Sequence, residues 1–147
     1  MKKIAIVFVT TILFLGGCSF LEDVNSTLNY VDEAREYASE ASDFANEAPT
    51  LAKQAINGEQ ALNEFESRLE EMKKDIQEFN ELEAPKVGAE LHQNIVDRNE
   101  KAMNTIDQFL KNIEDGNLDP SMVENTDAFQ TLTEINDVID QINQLNE

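Results

Sequence analysis

The chain has 147 residues, of which 30 are acidic and 11 are basic, so its formal net charge at pH 7 is −19. This length suits one ordinary domain, and a hydrophobic content of 41% at regular spacing is too high for a disordered chain. The negative charge repels phosphate groups, which excludes nucleic acids as partners and direct adsorption of the protein body to anionic lipid. Cys18 is the only cysteine, so the fold depends on packing rather than on an internal disulfide.

The amino terminus has the parts of a bacterial export signal. Lys2 and Lys3 precede an apolar stretch, residues 4–15, which is shorter than a bilayer span requires. The order Leu15-Gly16-Gly17-Cys18 resembles the lipobox of bacterial lipoproteins, which implies cleavage between Gly17 and Cys18 and attachment of diacylglycerol to the Cys18 sulfur. The alternative is an ordinary cleaved signal in which the cysteine has no role.

Lipidation at Cys18 predicts three segments along the chain. Residues 1–17 form the signal peptide, residues 18–28 a lipid-anchored N-terminus with a short stalk, and residues 29–147 a helical bundle domain. The mature chain keeps 9 basic and 30 acidic residues, a formal charge of −21. Two acyl chains, such as palmitate, give a stable attachment, whereas one chain alone binds marginally.

A long first helix is predicted over about residues 21–56. Apolar residues recur there every three or four positions, and no part of the chain shows the two-residue alternation of a strand. A seam of small residues follows one face: Val31, Ala34, Ala38, Ala41, Ala45, Ala48, Ala52 and Ala55. Beside it Tyr30, Tyr37, Phe44 and Leu51 repeat every seven residues, a pattern more typical of a core than of an exposed binding strip. The seam keeps its phase across Pro49, so we expect a kink there rather than a loop.

Three more helices are predicted, over about residues 59–82, 86–115 and 120–146. Asn57-Gly58 has residue types that favour left-handed backbone, and Asn57 with Gln60 could also cap the second helix. Ala84-Pro85 and residues 116–120 mark the other turns. The predicted buried stripes are Leu62, Phe65, Leu69, Met72, Ile76 and Phe79; Leu91, Ile95, Ala102, Ile106, Phe109, Leu110 and Ile113; and Phe129, Leu132, Ile135, Ile139 and Ile142.

Four amphipathic helices joined by short turns predict an all-α fold. They pack most simply as an antiparallel four-helix bundle whose first helix is the longest. A coiled-coil dimer is the alternative.

One segment matches part of a calcium-binding loop. The oxygens of Asp115, Asn117 and Asp119 have the one-three-five spacing that begins an EF-hand. The required glycine at the sixth position is Pro120, and the required acid at the twelfth is Thr126. We therefore interpret the segment as a helix-ending turn and predict no metal site.

Two polar residues lie on or beside the third stripe. His92 is the only histidine, so a transition-metal site is not favoured, and we expect a partly buried imidazole bonded to a neighbour. Asn99 occupies a seam position. It is either a buried residue that sets helix register or a solvent-facing residue at the edge of the bundle.

No catalytic motif is present in the sequence. It contains no nucleophile elbow, zincin pair or glycine-rich phosphate loop, which indicates a protein that is not an enzyme and has no catalytic residues. We expect no cofactor beyond the covalent diacylglycerol on Cys18. The predicted function is a non-enzymatic interaction or scaffolding module of the cell envelope, with the membrane and an envelope protein as partners. The alternative is a lipoprotein that binds a small ligand, a cation or a basic peptide.

The whole chain resembles an uncharacterised family of small lipoproteins from Gram-positive bacteria. The resemblance is carried by the segments at residues 18–31, 79–85 and 115–120, which read CSFLEDVNSTLNYV, FNELEAP and DGNLDP. It implies a lipoprotein anchored at the extracytoplasmic face of the cell membrane. It implies no catalytic residue, because that family has no assigned activity.

Overall fold

The computed structural model describes residues 17–86, 88–123 and 127–144, and every regular element in these ranges is a helix. The helices are α1 (Gly17–Ala55), α2 (Glu59–Asn80), α3 (Ala89–Glu114), α4 (Pro120–Val123), α5 (Asp127–Thr133) and α6 (Ile135–Gln144). The predicted all-α class and the long first helix are confirmed. The predicted signal peptide lies outside the described residues, apart from Gly17. Within the described ranges, no helix is long and apolar enough to cross a bilayer.

The helices form an antiparallel four-helix bundle. α1 packs along α2 on one side and against α5 and α6 on the other, and α3 also contacts α2, α5 and α6. The short helices α4, α5 and α6 together take the place of the fourth helix. α1 and α3 therefore lie diagonally opposite each other and run parallel.

The small-residue seam of α1 is buried along its whole length. Ala34, Ala41, Ala45, Ala48 and Ala52 have no exposed surface. Side chains of this size let neighbouring backbones approach closely, which explains the extensive packing between α1 and α2. The helix continues through Pro49, so the predicted absence of a loop is confirmed, while a kink there stays a prediction.

Aromatic rings fill the space that the small residues leave. In the middle of the bundle, ring centroids are 5.0 Å apart for Phe44–Phe129, 5.9 Å for Phe109–Phe129 and 5.3 Å for Phe65–Phe109. A second group, Tyr30, Tyr37, Phe79 and His92, stacks closer to the start of α1, with a Tyr37–Phe79 separation of 4.4 Å. The predicted core position of Tyr30, Tyr37 and Phe44 is confirmed.

The turn between α1 and α2 differs from the prediction. The Asn57 side chain donates a hydrogen bond to the Lys53 carbonyl at 2.9 Å, so it closes the end of α1 and does not cap α2. Gly58 precedes α2 with an extended backbone, φ −170°, rather than a left-handed one. By contrast, Gly116 does have φ +67° at the end of α3. There the Gly116 and Asn117 N–H groups bond to the carbonyls of Ile113 and Asn112, as in a Schellman motif.

The predicted last helix is divided, which corrects the expectation of one continuous helix over 120–146. Four buried residues of this segment are spaced three apart: Phe129, Leu132, Ile135 and Val138. A continuous helix would need alternating steps of three and four to keep them all on one face. A break in the helix at Glu134 turns the later apolar residues back toward the core. The Glu134 carboxylate pairs with Arg98 of α3 at 3.4 Å, and the Thr133 hydroxyl donates to the Gln130 carbonyl at 2.7 Å. Ile142 has no described side chain, so its predicted burial stays a prediction.

The seam predicts a specific sensitivity to added volume. Replacing Ala41 by Leu inserts three carbon atoms where no exposed surface exists, and overpacking of this kind costs about 1–3 kcal/mol. We expect the full chain to unfold several degrees lower on heating, as followed by circular dichroism at 222 nm. The control is Ser39→Leu on the exposed side of α1, which should change the midpoint little. Equal effects of the two substitutions would contradict a tightly packed seam.

Candidate functional site

The predicted lipidation site lies at the start of α1. The backbone is helical from Gly17 onward, and the side chain of Cys18 is outside the described part. Tyr30, the first buried core residue described, follows Cys18 by twelve positions, a rise of about 18 Å in a straight helix. The roles of Gly17 and Cys18 and the limits of the three predicted segments stay predictions.

The calcium-like segment is a turn. The Asp119 carboxylate accepts the Ser121 N–H at 2.7 Å, which caps the first turn of α4, and this bond lowers the pKa of Asp119. Across the described ranges, no group of acidic, histidine or cysteine side chains is arranged to hold a metal ion.

His92 is partly buried and bonded to a neighbour, as expected, and the structure identifies that neighbour as Tyr30. Its Nδ1 lies 3.0 Å from the Tyr30 hydroxyl, and its ring stacks on Phe79 with centroids 5.0 Å apart. Burial lowers the pKa of His92 and raises that of Tyr30 to about 12. Both shifts favour the neutral forms, which suits a structural pair inside the bundle.

Asn99 is buried, which decides between the two interpretations of its position. It has no exposed surface, and its Oδ1 accepts a hydrogen bond of 2.5 Å from the Tyr37 hydroxyl. Its Nδ2 donates to Asn80 Oδ1 at 2.7 Å, so this amide links α1, α2 and α3. Tyr37 and Asn99 bond to each other, so these core polar groups serve the fold rather than a ligand.

The most distinctive surface feature is a groove between α1 and α2, which we call the acidic groove. It has a volume of about 490 Å³. Its walls carry five carboxylates and one lysine, and apolar side chains line its base: Glu33, Glu36, Glu40, Asp75, Glu78 and Lys74, with Tyr37, Phe79 and Leu82. A smaller continuation of about 270 Å³, lined by Asp43, Glu71 and Arg68 among others, follows the same two helices away from the start of α1.

The basic residues beside the groove are already paired. Lys74 contacts Glu78 at 2.8 Å, and Arg68 contacts Glu71 and, at 3.3 Å, Glu47. These pairs leave Glu40 and Asp75 near each other without a direct basic partner among the ion pairs of the described residues.

Burial and repulsion raise the pKa of both central carboxyls. For Glu40 the causes are partial desolvation and then the charges of Asp75, Glu36 and Glu71; for Asp75 they are desolvation and then Glu71, with Lys74 opposing. The ionised groove is therefore electrostatically unfavourable, and a bound cation would relieve the repulsion.

Sequence analysis did not identify this groove. The signal is present, because Glu33, Glu36, Glu40, Asp43 and Glu47 recur every three or four residues along α1. In an acidic chain such a row is also the pattern of an ordinary solvated face. Only the packing of α2 beside it brings a second acidic row close.

Exposed apolar side chains offer no alternative site. Among the described residues, the large hydrophobic side chains with substantial exposure are Leu28, at 53%, and Ile56, at 37%. They lie near opposite ends of the bundle part of α1, so they do not form a contiguous patch.

Comparison with known proteins identifies the family of the chain. Residues 30–145, which cover almost the whole bundle, match the model of a family of unknown function, DUF6376. The chain belongs to this family. It is similar to the uncharacterized lipoprotein YybP of Bacillus subtilis (strain 168), with 38% identity over 136 residues and 92% of each chain covered. No solved structure matches. The predicted resemblance to an uncharacterised lipoprotein family is confirmed, and membership of DUF6376 adds no catalytic residue.

Repulsion in the acidic groove predicts that removing one charge stabilises the fold. Asp75→Asn should increase the free energy of unfolding at pH 7 and so raise the thermal midpoint. We expect an increase of less than about 1 kcal/mol, because the site is partly solvated. Folding raises the pKa of Asp75, so the folded state favours the protonated carboxyl. The contribution of Asp75 to stability is therefore present at low pH and is lost as pH rises through the folded-state pKa. The benefit of the substitution should therefore disappear near pH 3.5, as thermal scans across pH would show. Asp140→Asn, on the exposed face of α6, is the control, and a stabilisation by Asp75→Asn that is constant with pH would contradict the repulsion.

Proposed function

We propose that the protein is a lipoprotein, anchored through Cys18 to the extracytoplasmic face of the cell membrane, that acts as a non-enzymatic binding module. Its acidic groove receives a positively charged segment of a partner protein of the envelope. The observation that carries the proposal is the proximity of Glu40 and Asp75, whose raised pKa values reflect partial burial and a repulsion between carboxylates that Lys74 and Arg68 offset only in part.

The anchor is supported by two independent features. The first seventeen residues have the order of a lipoprotein signal, with Cys18 at the position that is lipidated in the proteins they resemble. A relative that aligns with 92% of this chain is described as a lipoprotein.

The carboxylates form an elongated row along α1, which favours an elongated basic ligand. Glu33 and Glu40 are seven residues apart on α1, and the acidic row continues to Glu47, so the carboxylates extend over about 21 Å. A peptide with several lysines or arginines would match such a row. A single divalent cation requires several oxygens around one point, and no such group occurs among the described residues.

The core supports a binding role rather than catalysis. Of the side chains that most often act as bases or nucleophiles, His92 and both tyrosines contact buried neighbours inside the bundle. The raised carboxyls Glu40 and Asp75 lie in an open groove, where Lys74 is paired with Glu78 and the Tyr37 hydroxyl is bonded to Asn99. Coulombic attraction to a basic segment needs only the charges that the groove displays.

The groove predicts selective binding of a basic peptide to the full chain in detergent. Fluorescence anisotropy should show that a labelled twelve-residue lysine-rich peptide binds and that its glutamine-substituted counterpart does not. Affinity should fall with added salt. The variant Glu36→Gln/Glu40→Gln/Asp75→Asn should weaken binding about tenfold, or about 1.4 kcal/mol.

A matched control separates the groove from the overall charge. Glu90→Gln/Glu100→Gln/Asp137→Asn removes the same number of charges from exposed positions on α3 and α6. It should weaken binding less than about twofold by the loss of long-range attraction alone. Equal losses in the two variants would show that net charge, and not the groove, binds the peptide. Failure of the lysine-rich peptide to bind would refute the basic partner.

The anchor is tested separately by Cys18→Ala. The unchanged chain should fractionate with membranes as a processed, lipidated form, because the thioether to diacylglycerol forms only on sulfur. The variant should be released or should keep its signal peptide, and the control Ser19→Ala should behave as the unchanged chain does. A processed Cys18→Ala protein that remains in the membrane fraction would overturn the lipoprotein proposal.

A further inference from the structure

The inner face of the α1–α2 hairpin repeats itself every seven residues. On α1 a shift of seven places Ala41 on Ala34, Ala45 on Ala38 and so on along the seam, and the large positions Tyr30, Tyr37, Phe44 and Leu51 follow the same interval. On α2 the buried positions repeat likewise, as Phe65, Met72 and Phe79 and as Leu69 and Ile76. The packing surface of the hairpin thus has a seven-residue period.

Such a surface specifies the axial position of the hairpin poorly. If the hairpin slides along α3 by one period toward the start of α1, it moves by about 10.5 Å, and five of the seven seam alanines take the site of another. The movement has a packing cost at the far end of the hairpin, where Gly58 would replace Phe65 beside Phe109. α2 still covers the first turns of α3 after this movement. A slide in the opposite direction is disfavoured by packing, because α2 ends at Asn80 and Phe79 would no longer cover His92.

Asn99 distinguishes the observed register from its competitor. In the structure its amide oxygen accepts from Tyr37, and its amide nitrogen donates to Asn80. After the slide, Phe44 would take the place of Tyr37 and Lys73 that of Asn80, so the fully buried amide would lose both partners. An unpaired buried amide is strongly disfavoured. His92 does not discriminate, because Tyr37 would replace Tyr30 beside it.

An exposed ion pair between α2 and α3 also favours the observed register. Lys73 Nζ on α2 lies 2.5 Å from Asp107 Oδ1 on α3, and both side chains are at least one-third exposed. The slide would place Glu66 opposite Asp107. Exposed pairs contribute little on their own, so this contact supports the register without determining it.

We propose that the buried chain Tyr37–Asn99–Asn80 is a register lock, which acts together with the Phe65–Phe109 contact to fix the axial position of the α1–α2 hairpin against α3, a position that the repeating alanine seam does not specify. Single buried asparagines set register in coiled coils by the same means. Since α1 begins at Gly17, the lock also fixes how far α3, α5 and α6 stand from Cys18. That consequence for the distance to the membrane rests on the proposed anchor, whereas the lock does not.

Distance measurements between two spin labels test the lock in the full chain purified from membranes. Cysteines replace Ser39 on α1 and Glu114 at the end of α3, two exposed positions separated along the bundle axis, so the slide lengthens their distance by several ångströms. The chain without these cysteines shows whether Cys18 takes label. The parent should give one distance, and Phe44→Leu, which reduces packing but leaves the lock intact, should give the same one.

Three variants alter the lock. Tyr37→Phe and Asn99→Ala should each add a population at longer distance. Tyr37→Phe/Phe44→Tyr, which moves the hydroxyl by one period, should increase the population at longer distance above that of Tyr37→Phe alone. If this double variant does not fold, as judged by circular dichroism, the two single variants decide the question. Retention of the parental distance alone in folded Tyr37→Phe and Asn99→Ala would show that apolar packing and loop lengths set the register without the lock and would overturn the proposal.

Discussion

Close approach between α1 and its neighbours is the constraint on which the rest of the structure depends. The seam of α1 carries side chains no larger than valine and is buried throughout, so the neighbouring backbones come near. This proximity brings α2 beside the acidic row of α1, and two rows that would otherwise be independent solvated faces then share one groove. The raised pKa values of Glu40 and Asp75 are thus a consequence of the small residues behind them. A bulkier seam would separate the helices and relieve the repulsion.

The same seam creates a problem of specificity. Alanines at regular intervals pack similarly at several offsets, and the aromatic residues remove only part of the ambiguity, through the contact of Phe65 with Phe109. A hydroxyl and two amides do remove it, because hydrogen bonds require particular partners at particular positions. Tyr37 and Phe44 differ by one oxygen atom, yet only Tyr37 can bond to Asn99. Polar atoms inside this bundle therefore supply positional information that apolar packing does not provide.

Sequence analysis predicted those features that depend on one helix at a time. Periodicity identified the three long helices, the seam, the aromatic core and the turn at Gly116, where positive φ and residue type agree. Features that depend on two elements were missed. Gly58 is extended because it stands at the N-cap of α2, where the backbone is not yet helical, and the sequence does not show that the end of α1 and the start of α2 share this turn. The division at Glu134 follows from successive steps of three between buried residues, which in the sequence alone resemble ordinary helical spacing. The acidic groove required the lateral packing of two helices, which neither acidic row reveals alone.

Two parts of the structure respond to protons in opposite ways. Burial lowers the pKa of His92, so the unfolded chain binds a proton first as pH falls below the ordinary histidine value, and acidification there destabilises the fold. The pKa values of Glu40 and Asp75 are raised, so the folded chain binds protons first, and further acidification toward the ordinary carboxyl range stabilises it. A cation in the acidic groove would compete with those protons, because it favours the ionised carboxylates. Binding of the proposed basic partner would thus be linked to proton release from the groove. The pair of His92 and Tyr30 contributes its stability at neutral pH, where the groove carboxyls are ionised.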